Sequence, residues 1–231
     1  MNTYPRAIFI TGGGTGLGAA TARHLVAGGW RVALAGRREK LLHDLAAELG
    51  AAAQVYALDV ADAAAVERAV RDYRPDGLVC AAAILGRGDP YGELTAARFA
   101  EVMAINVNGS FHACSAAMRL WREGGVAGDI VNVASLGGIR GLQRFPGFGA
   151  YATSKHAIVG MTEALALDGK AHGIRVNAVA PGTLRTPMVE ALGLVPRTTP
   201  DAIAPTIEFL LDRRRSGPIS GTIVEIHCND D

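Results

Sequence analysis

Tyr151 and Lys155 stand four residues apart in the segment Tyr151-Ala152-Thr153-Ser154-Lys155-His156-Ala157. On a helix, that spacing sends both side chains from one face, one turn apart. A phenol with its ordinary pKa of about 10 is a poor proton donor and a worse base at neutral pH. A cation one turn away favours the phenolate and lowers that pKa. Bringing it into working range takes roughly 3 to 4 kcal/mol, which one ammonium and one positive cofactor ring could supply. An exposed tyrosine beside a solvated lysine has the same spacing, so the surrounding sequence decides between the two.

The elements that must position such a pair can be read from apolar patterning. Short apolar runs at 7–11, 31–35, 54–58, 77–81, 129–133, 175–179 and 222–226 predict strands. Between them, helical patterns cover 16–27, 38–49, 62–74, 96–122 and 150–171, and Thr199-Pro200-Asp201 opens one more. Asp62 and Thr95 are the expected caps. Strands this apolar, alternating with helices, indicate a parallel sheet covered on both faces. The fold class is therefore a Rossmann-type, doubly wound α/β domain with seven strands. No linker, repeat or low-complexity segment interrupts the chain, and one domain is expected over 1–231.

Composition narrows the function classes. The chain has 231 residues, 49% hydrophobic and 19% charged, with a net charge of +1. That balance gives no electrostatic footprint for nucleic acid. Arg213-Arg214-Arg215 reads as a solvated helix end and not a phosphate-binding patch. No apolar run reaches the length of a membrane span, and Met1 to Arg6 lead into a strand without a signal peptide's apolar region. Cys80, Cys114 and Cys228 are scattered and odd in number, matching neither a disulfide framework nor metal-ligand spacing. A reducing cytoplasm is the expected setting, with no membrane partner and no metal.

Strand one is followed by Thr11-Gly12-Gly13-Gly14-Thr15-Gly16-Leu17-Gly18. Glycines here permit positive φ and close approach of a pyrophosphate to the backbone, and the following helix N-terminus favours negative charge. The spacing Thr-Gly-x-x-x-Gly-x-Gly, carried by Thr11, Gly12, Gly16 and Gly18, resembles that of the short-chain dehydrogenase/reductase family. Tyr151-x-x-x-Lys155 is that family's second hallmark. The resemblance runs from about Arg6 to Ile226.

Several roles follow from the resemblance. Tyr151 would protonate a carbonyl oxygen in reduction or take the alcohol proton in oxidation, with hydride passing directly between cofactor and substrate carbon. Lys155 would lower the Tyr151 pKa and donate to the nicotinamide ribose. Ser135, three positions after Asn132 at the end of strand five, matches the family's substrate-orienting serine. Gly137 and Gly138 behind it suggest a flexible turn lining the substrate site. Asn106 matches the fourth member of the catalytic set, whose backbone carbonyl would hold a relay water. Thr15 and Leu17 belong to the phosphate-binding turn. Asp59 and Val60 would flank the adenine, although Asp59 equally reads as a helix-initiating residue. Pro181, Gly182, Leu184 and Thr186 match the segment that bends past the nicotinamide, with Thr183 nearby.

The cofactor reading comes from the end of strand two. An acidic residue there would bind the adenosine ribose hydroxyls of NAD, but Gly36 occupies the position and Arg37 and Arg38 follow. A guanidinium can bind a 2′-phosphate that a carboxylate would repel. NADP(H) is therefore expected over NAD(H), with Arg37 the better candidate of the two arginines.

The chain departs from the family at strand four, where Asn-Asn-Ala-Gly is replaced by Cys80-Ala81-Ala82-Ala83, so only Ala82 agrees. Cys80 reads as a small buried residue and not a nucleophile. The interval from Ser135 to Tyr151 is long and holds Gln143, Arg144, Phe145 and Phe148. The two phenylalanines would either wall a substrate pocket or pack at a subunit contact. The lid at 188–199, starting with Met188, is short and suggests an open pocket that admits a bulky or carrier-tethered substrate. His227-Cys228-Asn229 replaces the usual Asp-Gly-Gly, and His227 reads as structural. The expected activity is interconversion of a ketone or aldehyde and an alcohol, with an oxoacyl thioester also among the candidate substrates. An NAD-linked alcohol or sugar dehydrogenase and a cofactor-binding protein without turnover are the alternatives. The resemblance implies a homotetramer or dimer built on the helices at 96–122 and 150–171, where Ala157, Gly160, Ala164 and Ala166 permit close packing.

Overall fold

The computed structural model describes residues 6–88, 93–142 and 145–228. The N-terminal lead 1–5, Gln143 and Arg144 of the long loop, and Asn229 lie outside the described residues.

Seven strands form one parallel sheet: β1 (Ala7–Thr11), β2 (Arg31–Gly36), β3 (Ala53–Ala57), β4 (Gly77–Cys80), β5 (Gly128–Val133), β6 (Ile174–Pro181) and β7 (Ile223–Ile226). Their order is β3-β2-β1-β4-β5-β6-β7, so the winding direction reverses between β1 and β4. That reversal opens a crevice at the carboxyl ends of the strands, where a ligand binds in folds of this kind. The predicted fold class holds, and the strand boundaries fall within one or two residues of those expected.

Alternating side chains of each strand feed two cores. In β1, Ile8 and Ile10 pack with Leu17 and Leu25 of α1 (Gly16–Ala27) and with Ile207 of α8 (Ala204–Leu211). Phe9 points to the other face and joins Val70 of α3 (Ala63–Tyr73) and Trp121 of α5 (Gly109–Glu123). All these side chains are buried, which explains why the strands lack the polar alternation of a one-sided sheet. The remaining helices are α2 (Glu39–Leu49), α4 (Ala96–Met103), α6 (Gly149–Gly169), α7 (Pro187–Glu190) and α9 (Arg213–Ser216). Asp62 and Thr95 cap α3 and α4 as expected, accepting from Ala65 N at 3.0 Å and Arg98 N at 3.1 Å.

The helix expected over 96–122 is interrupted. One π turn, Ala104–Asn108, separates α4 from α5. The wider turn displaces the backbone pairing around Asn106, whose carbonyl accepts from the Ser110 hydroxyl at 2.9 Å. Gly109 then passes against Val60 so closely that an added Cβ would lie 2.5 Å from its Cγ2. The segments on either side each carry helical apolar spacing, so periodicity predicts one run across the turn and does not mark the break.

The arginine run is solvated at Arg214 and Arg215 as expected, but Arg213 is drawn into a buried cluster. Arg213 Nε lies 2.9 Å from Asp129 Oδ2, and Arg214 and Arg215 pair with Asp212 and Glu208. Asp129, almost fully buried at the start of β5, also meets Arg6 at 2.8 Å and Arg175 at 2.8 Å. One carboxylate thus ties the amino ends of β1, β5 and β6 to α9. Removing one partner of a buried ion pair leaves a charge without compensation. Asp129→Asn should lower unfolding stability by about 3 kcal/mol in urea titration while leaving cofactor affinity at the opposite end of the sheet unchanged. A loss below about 1 kcal/mol would show that the cluster behaves as surface pairs do.

Candidate active site

A cavity of about 790 Å³ opens at the carboxyl ends of the strands. Its lining brings together nearly every residue expected at the site: Gly12, Thr15, Gly16 and Leu17 of the first turn, Arg37, Arg38, Asp59, Val60 and Ala82 from the strand ends, and Ser135, Tyr151 and Lys155 beside Pro181, Gly182, Leu184 and Thr186. Gly18 and Asn106 are not in the wall but hold it from behind. A Cβ on Gly18 would come within 2.3 Å of Gly12 O, and one on Gly12 within 2.7 Å of Ala82 N. Gly12 also has φ +68°, a conformation that side chains disfavour. The turn therefore presents bare backbone at the start of α1, with the first helical N–H groups unpaired by any capping side chain. That arrangement fits a dinucleotide's pyrophosphate.

At the adenosine end, Gly36 closes β2 and offers room. A Cβ there would meet only Leu42 Cδ2 at 3.8 Å. Arg37 is exposed and sits 3.8 Å from Asp59, while Arg38 donates to the Thr15 hydroxyl at 2.6 Å. Asp59 also accepts from Ala61 N at 2.9 Å, so it both lines the cavity and shapes the turn into α3. At the nicotinamide end, Thr186 caps α7, accepting from Val189 N at 3.4 Å, and its methyl would lie 3.4 Å from a Cβ on Gly16.

The centre of the site is α6 packed against the exit of β5. Lys155 is buried, and its ammonium donates to Val133 O at 2.7 Å and lies 5.5 Å from the Tyr151 ring centroid. Burial pulls the Lys155 pKa down to about 8, with a small opposing effect from Cys80. The protein around the Tyr151 phenol pushes its pKa up, and a hydrogen bond with Ser135 pulls it down. Within the protein, the hydrogen bond with Ser135 is the interaction that opposes burial at the phenol, while the Lys155 ammonium is directed to the Val133 carbonyl.

Ser135 also accepts from Gly137 N at 3.1 Å and caps a short 3₁₀ turn, Leu136–Gly138. The flexible turn expected there is instead buried and tight. A Cβ on Gly138 would lie 2.6 Å from the Lys155 carbonyl carbon, so only glycine lets α6 approach this closely. Gly137 lines the cavity as expected.

Asn106 acts through more than its backbone. Its side-chain amide accepts from Ile84 N at 2.8 Å, donates to Ile84 O at 2.9 Å, and donates to the Ser154 hydroxyl at 3.0 Å. Ser154 in turn donates to Tyr151 O at 2.7 Å. This bracket joins the β4 exit, the π turn and α6. Ser154 was overlooked in the sequence, although its place between Tyr151 and Lys155 on α6 was visible. At the altered β4 end, Cys80 and Cys114 lie 3.8 Å apart, and Cys114 reaches Asn132 Oδ1 at 3.5 Å. The Cys80 thiol is pushed well up by its bond to Cys114 and by burial, consistent with a packing role. Thr11 Oγ1 accepts from Ala82 N at 3.3 Å and holds the strand end over Gly12.

Phe145, Phe148 and Met188 all line the cavity. The two phenyl rings are 5.7 Å apart at 59°. The short lid still contributes Met188, Val189, Leu192 and Leu194 to the wall. His227 is 3.6 Å from Glu225 at the surface, away from this wall.

A phosphate-binding turn at a topological switch point, together with a serine–tyrosine–lysine cluster, defines a nicotinamide-dependent oxidoreductase. The chain belongs to the short chain dehydrogenase family, whose pattern matches residues 6–194. It is 42% identical over 195 residues to levodione reductase of Leifsonia aquatica, covering 80% of this chain and 72% of that protein. It is 38% identical over 190 residues to 2,5-dichloro-2,5-cyclohexadiene-1,4-diol dehydrogenase of Sphingobium indicum, covering 80% and 75%. The solved levodione reductase superposes with TM-score 0.87 at 33% identity over 96% of each chain. A 3-ketoacyl-(acyl-carrier-protein) reductase from Brucella melitensis complexed with NADH gives 0.87 at 26% identity over 98% of each chain. ElxO with NADP bound gives 0.85 at 25% identity over 97% of this chain and 98% of that one. The chain is thus an oxidoreductase that acts on CH–OH or C=O groups with a nicotinamide cofactor.

The buried ammonium has a measurable consequence. The folded Lys155 pKa is about 8 against an ordinary 10.5, so between those values the unfolded chain holds a proton that the folded chain has released. Stability therefore rises with pH from about 8 toward 10. Lys155→Met should lack that rise and, relieved of a buried charge, should be more stable than the parent by about 1–3 kcal/mol at pH 7. Urea unfolding of both proteins across that range checks it. Parallel pH profiles would contradict the assignment.

Proposed function

We propose that the chain is an NADP(H)-linked carbonyl reductase or alcohol dehydrogenase in which Tyr151 moves the proton. The observation that carries this reading is the Ser135–Tyr151 hydrogen bond facing the cavity, with Lys155 buried one turn along. Ser135 orients the substrate oxygen within reach of the phenol. Tyr151 donates its proton to that oxygen in reduction and takes it back in oxidation. The nicotinamide cofactor supplies or accepts the hydride. Lys155 holds positive charge near the phenol and offers donors to the cofactor's ribose. The Asn106 carbonyl already accepts from Ser110 and keeps a second lone pair for a relay water.

Gly36, Arg37 and Arg38 support NADP(H). No carboxylate stands at the end of β2 to repel a 2′-phosphate, and both guanidinium groups line the cavity. A second reading, an NAD(H)-linked alcohol or sugar dehydrogenase, is favoured by one observation: Arg37 and Arg38 already have partners in Asp59 and Thr15. The relatives act on a levodione and on a cyclohexadiene diol by name, which favours a small ketone or secondary alcohol over an oxoacyl thioester. A homodimer or tetramer remains part of the proposal, with α5 and α6 as the contact helices. Phe111 and Leu167 are exposed on them. Gly160 and Ala164 are exposed too, whereas Ala166 is buried within the chain and unavailable for such a contact.

Gly36→Asp should be accommodated by the open space at that position and should shift the ratio of kcat/KM for NADP(H) over NAD(H) toward NAD(H) by roughly 100-fold. Parent enzyme that already prefers NAD(H) would overturn the cofactor assignment. Tyr151→Phe should lower kcat by about 10²–10⁴ while cofactor binding, followed by fluorescence, stays within a few-fold. Unchanged turnover would remove Tyr151 from the mechanism.

A further inference from the structure

The charged side chains among the described lining residues are Arg37, Arg38, Asp59 and Lys155. The first three sit where β2 and β3 end, at the adenosine side, and the ammonium of Lys155 is held by Val133 O behind the reacting centre. The substrate side has a different chemistry. Leu85 comes from the β4 exit, Phe145 and Phe148 from the loop before α6, and Met188, Leu192 and Leu194 from α7 and the lid. The hydroxyls offered there, on Ser135 and Tyr151, converge through their mutual hydrogen bond on a single substrate oxygen. Among the described residues of that wall, a charged group on the substrate would leave water and meet no counter-charge.

The mouth of the cavity repeats the pattern. Phe145, 54% exposed, and Leu194, 51% exposed, both line the cavity and also reach solvent. Large apolar side chains left facing water at a cavity rim are accounted for when a ligand covers them. The cavity of about 790 Å³ must also hold the dinucleotide of the proposed function, so the substrate has only the remainder, which favours a compact molecule.

Resting on the reductase reading above, we infer that the substrate is a compact, uncharged, largely hydrocarbon ketone or its secondary alcohol, and that the apolar wall from Leu85 to Leu194 excludes carboxylated, phosphorylated and carrier-tethered carbonyls. The experiment compares kcat/KM for a panel of neutral ring and chain ketones, their ring-carboxylated counterparts of similar size, and acetoacetyl-coenzyme A. Parent enzyme and Leu192→Arg are assayed side by side, with cofactor dissociation constants reporting folding. The expected result is a preference of about 100-fold or more for the best neutral ketone over the best carboxylated one. Leu192→Arg, which gives the wall a counter-charge, should narrow that ratio at least tenfold by raising activity on the carboxylates. A parent that prefers a carboxylate or the thioester, or a ratio that Leu192→Arg leaves unchanged, would overturn the inference while leaving the reductase reading intact. Cofactor binding with no turnover of any ketone or alcohol would overturn both.

Discussion

A lysine ammonium enclosed by protein must find a partner or lose its proton, and the site is organised around the way Lys155 meets that constraint. Its partner is the Val133 carbonyl at the last residue of β5. Reaching it requires α6 to lie almost in contact with the turn that follows β5, and Gly138 makes the approach possible by having no side chain. The same approach brings Tyr151 to Ser135. The catalytic spacing on the helix and the glycine behind the serine are therefore parts of one packing arrangement. Asn106 fixes the other side of α6 through Ser154, and the π turn sets the register from which it does so.

The electrostatics of the phenol follow from this arrangement. Burial alone makes Tyr151 a weaker acid than a phenol in water. The hydrogen bond with Ser135 works against burial and favours the charged form of the phenol. In the proposed mechanism the same serine would also orient the substrate oxygen beside Tyr151. The Lys155 ammonium lies over the Tyr151 ring, 5.5 Å from its centroid.

Much of this was legible in the residues. The strand pattern predicted the sheet because the inner strands β1, β2, β4, β5 and β6 are buried on both faces, which leaves apolar runs. The glycines at 12, 16 and 18 stood out because close backbone approach demands them. Features that depend on contacts between distant segments were not legible. The Asp129 cluster joins residues 6, 129, 175 and 213, and no local pattern connects them. The π turn joins two segments that each carry helical apolar spacing, so the stretch reads as one helix. Gly138 looked like freedom in the sequence and is a tight contact in the fold, since one glycine serves both purposes. The direction of the Lys155 ammonium likewise depends on where the Val133 carbonyl lies, which spacing along α6 does not reveal.

The account turns on burial raising the Tyr151 pKa and on Ser135 as the protein group that opposes it. A near-ultraviolet difference titration of the cofactor-free protein against Tyr151→Phe, repeated in the Ser135→Ala background, measures this directly. The predicted result is a Tyr151 pKa above its ordinary value of 10.0 in the parent, moving higher when the serine hydroxyl is removed. A phenol that titrates below 10.0, or one whose pKa Ser135→Ala leaves unchanged, would contradict it.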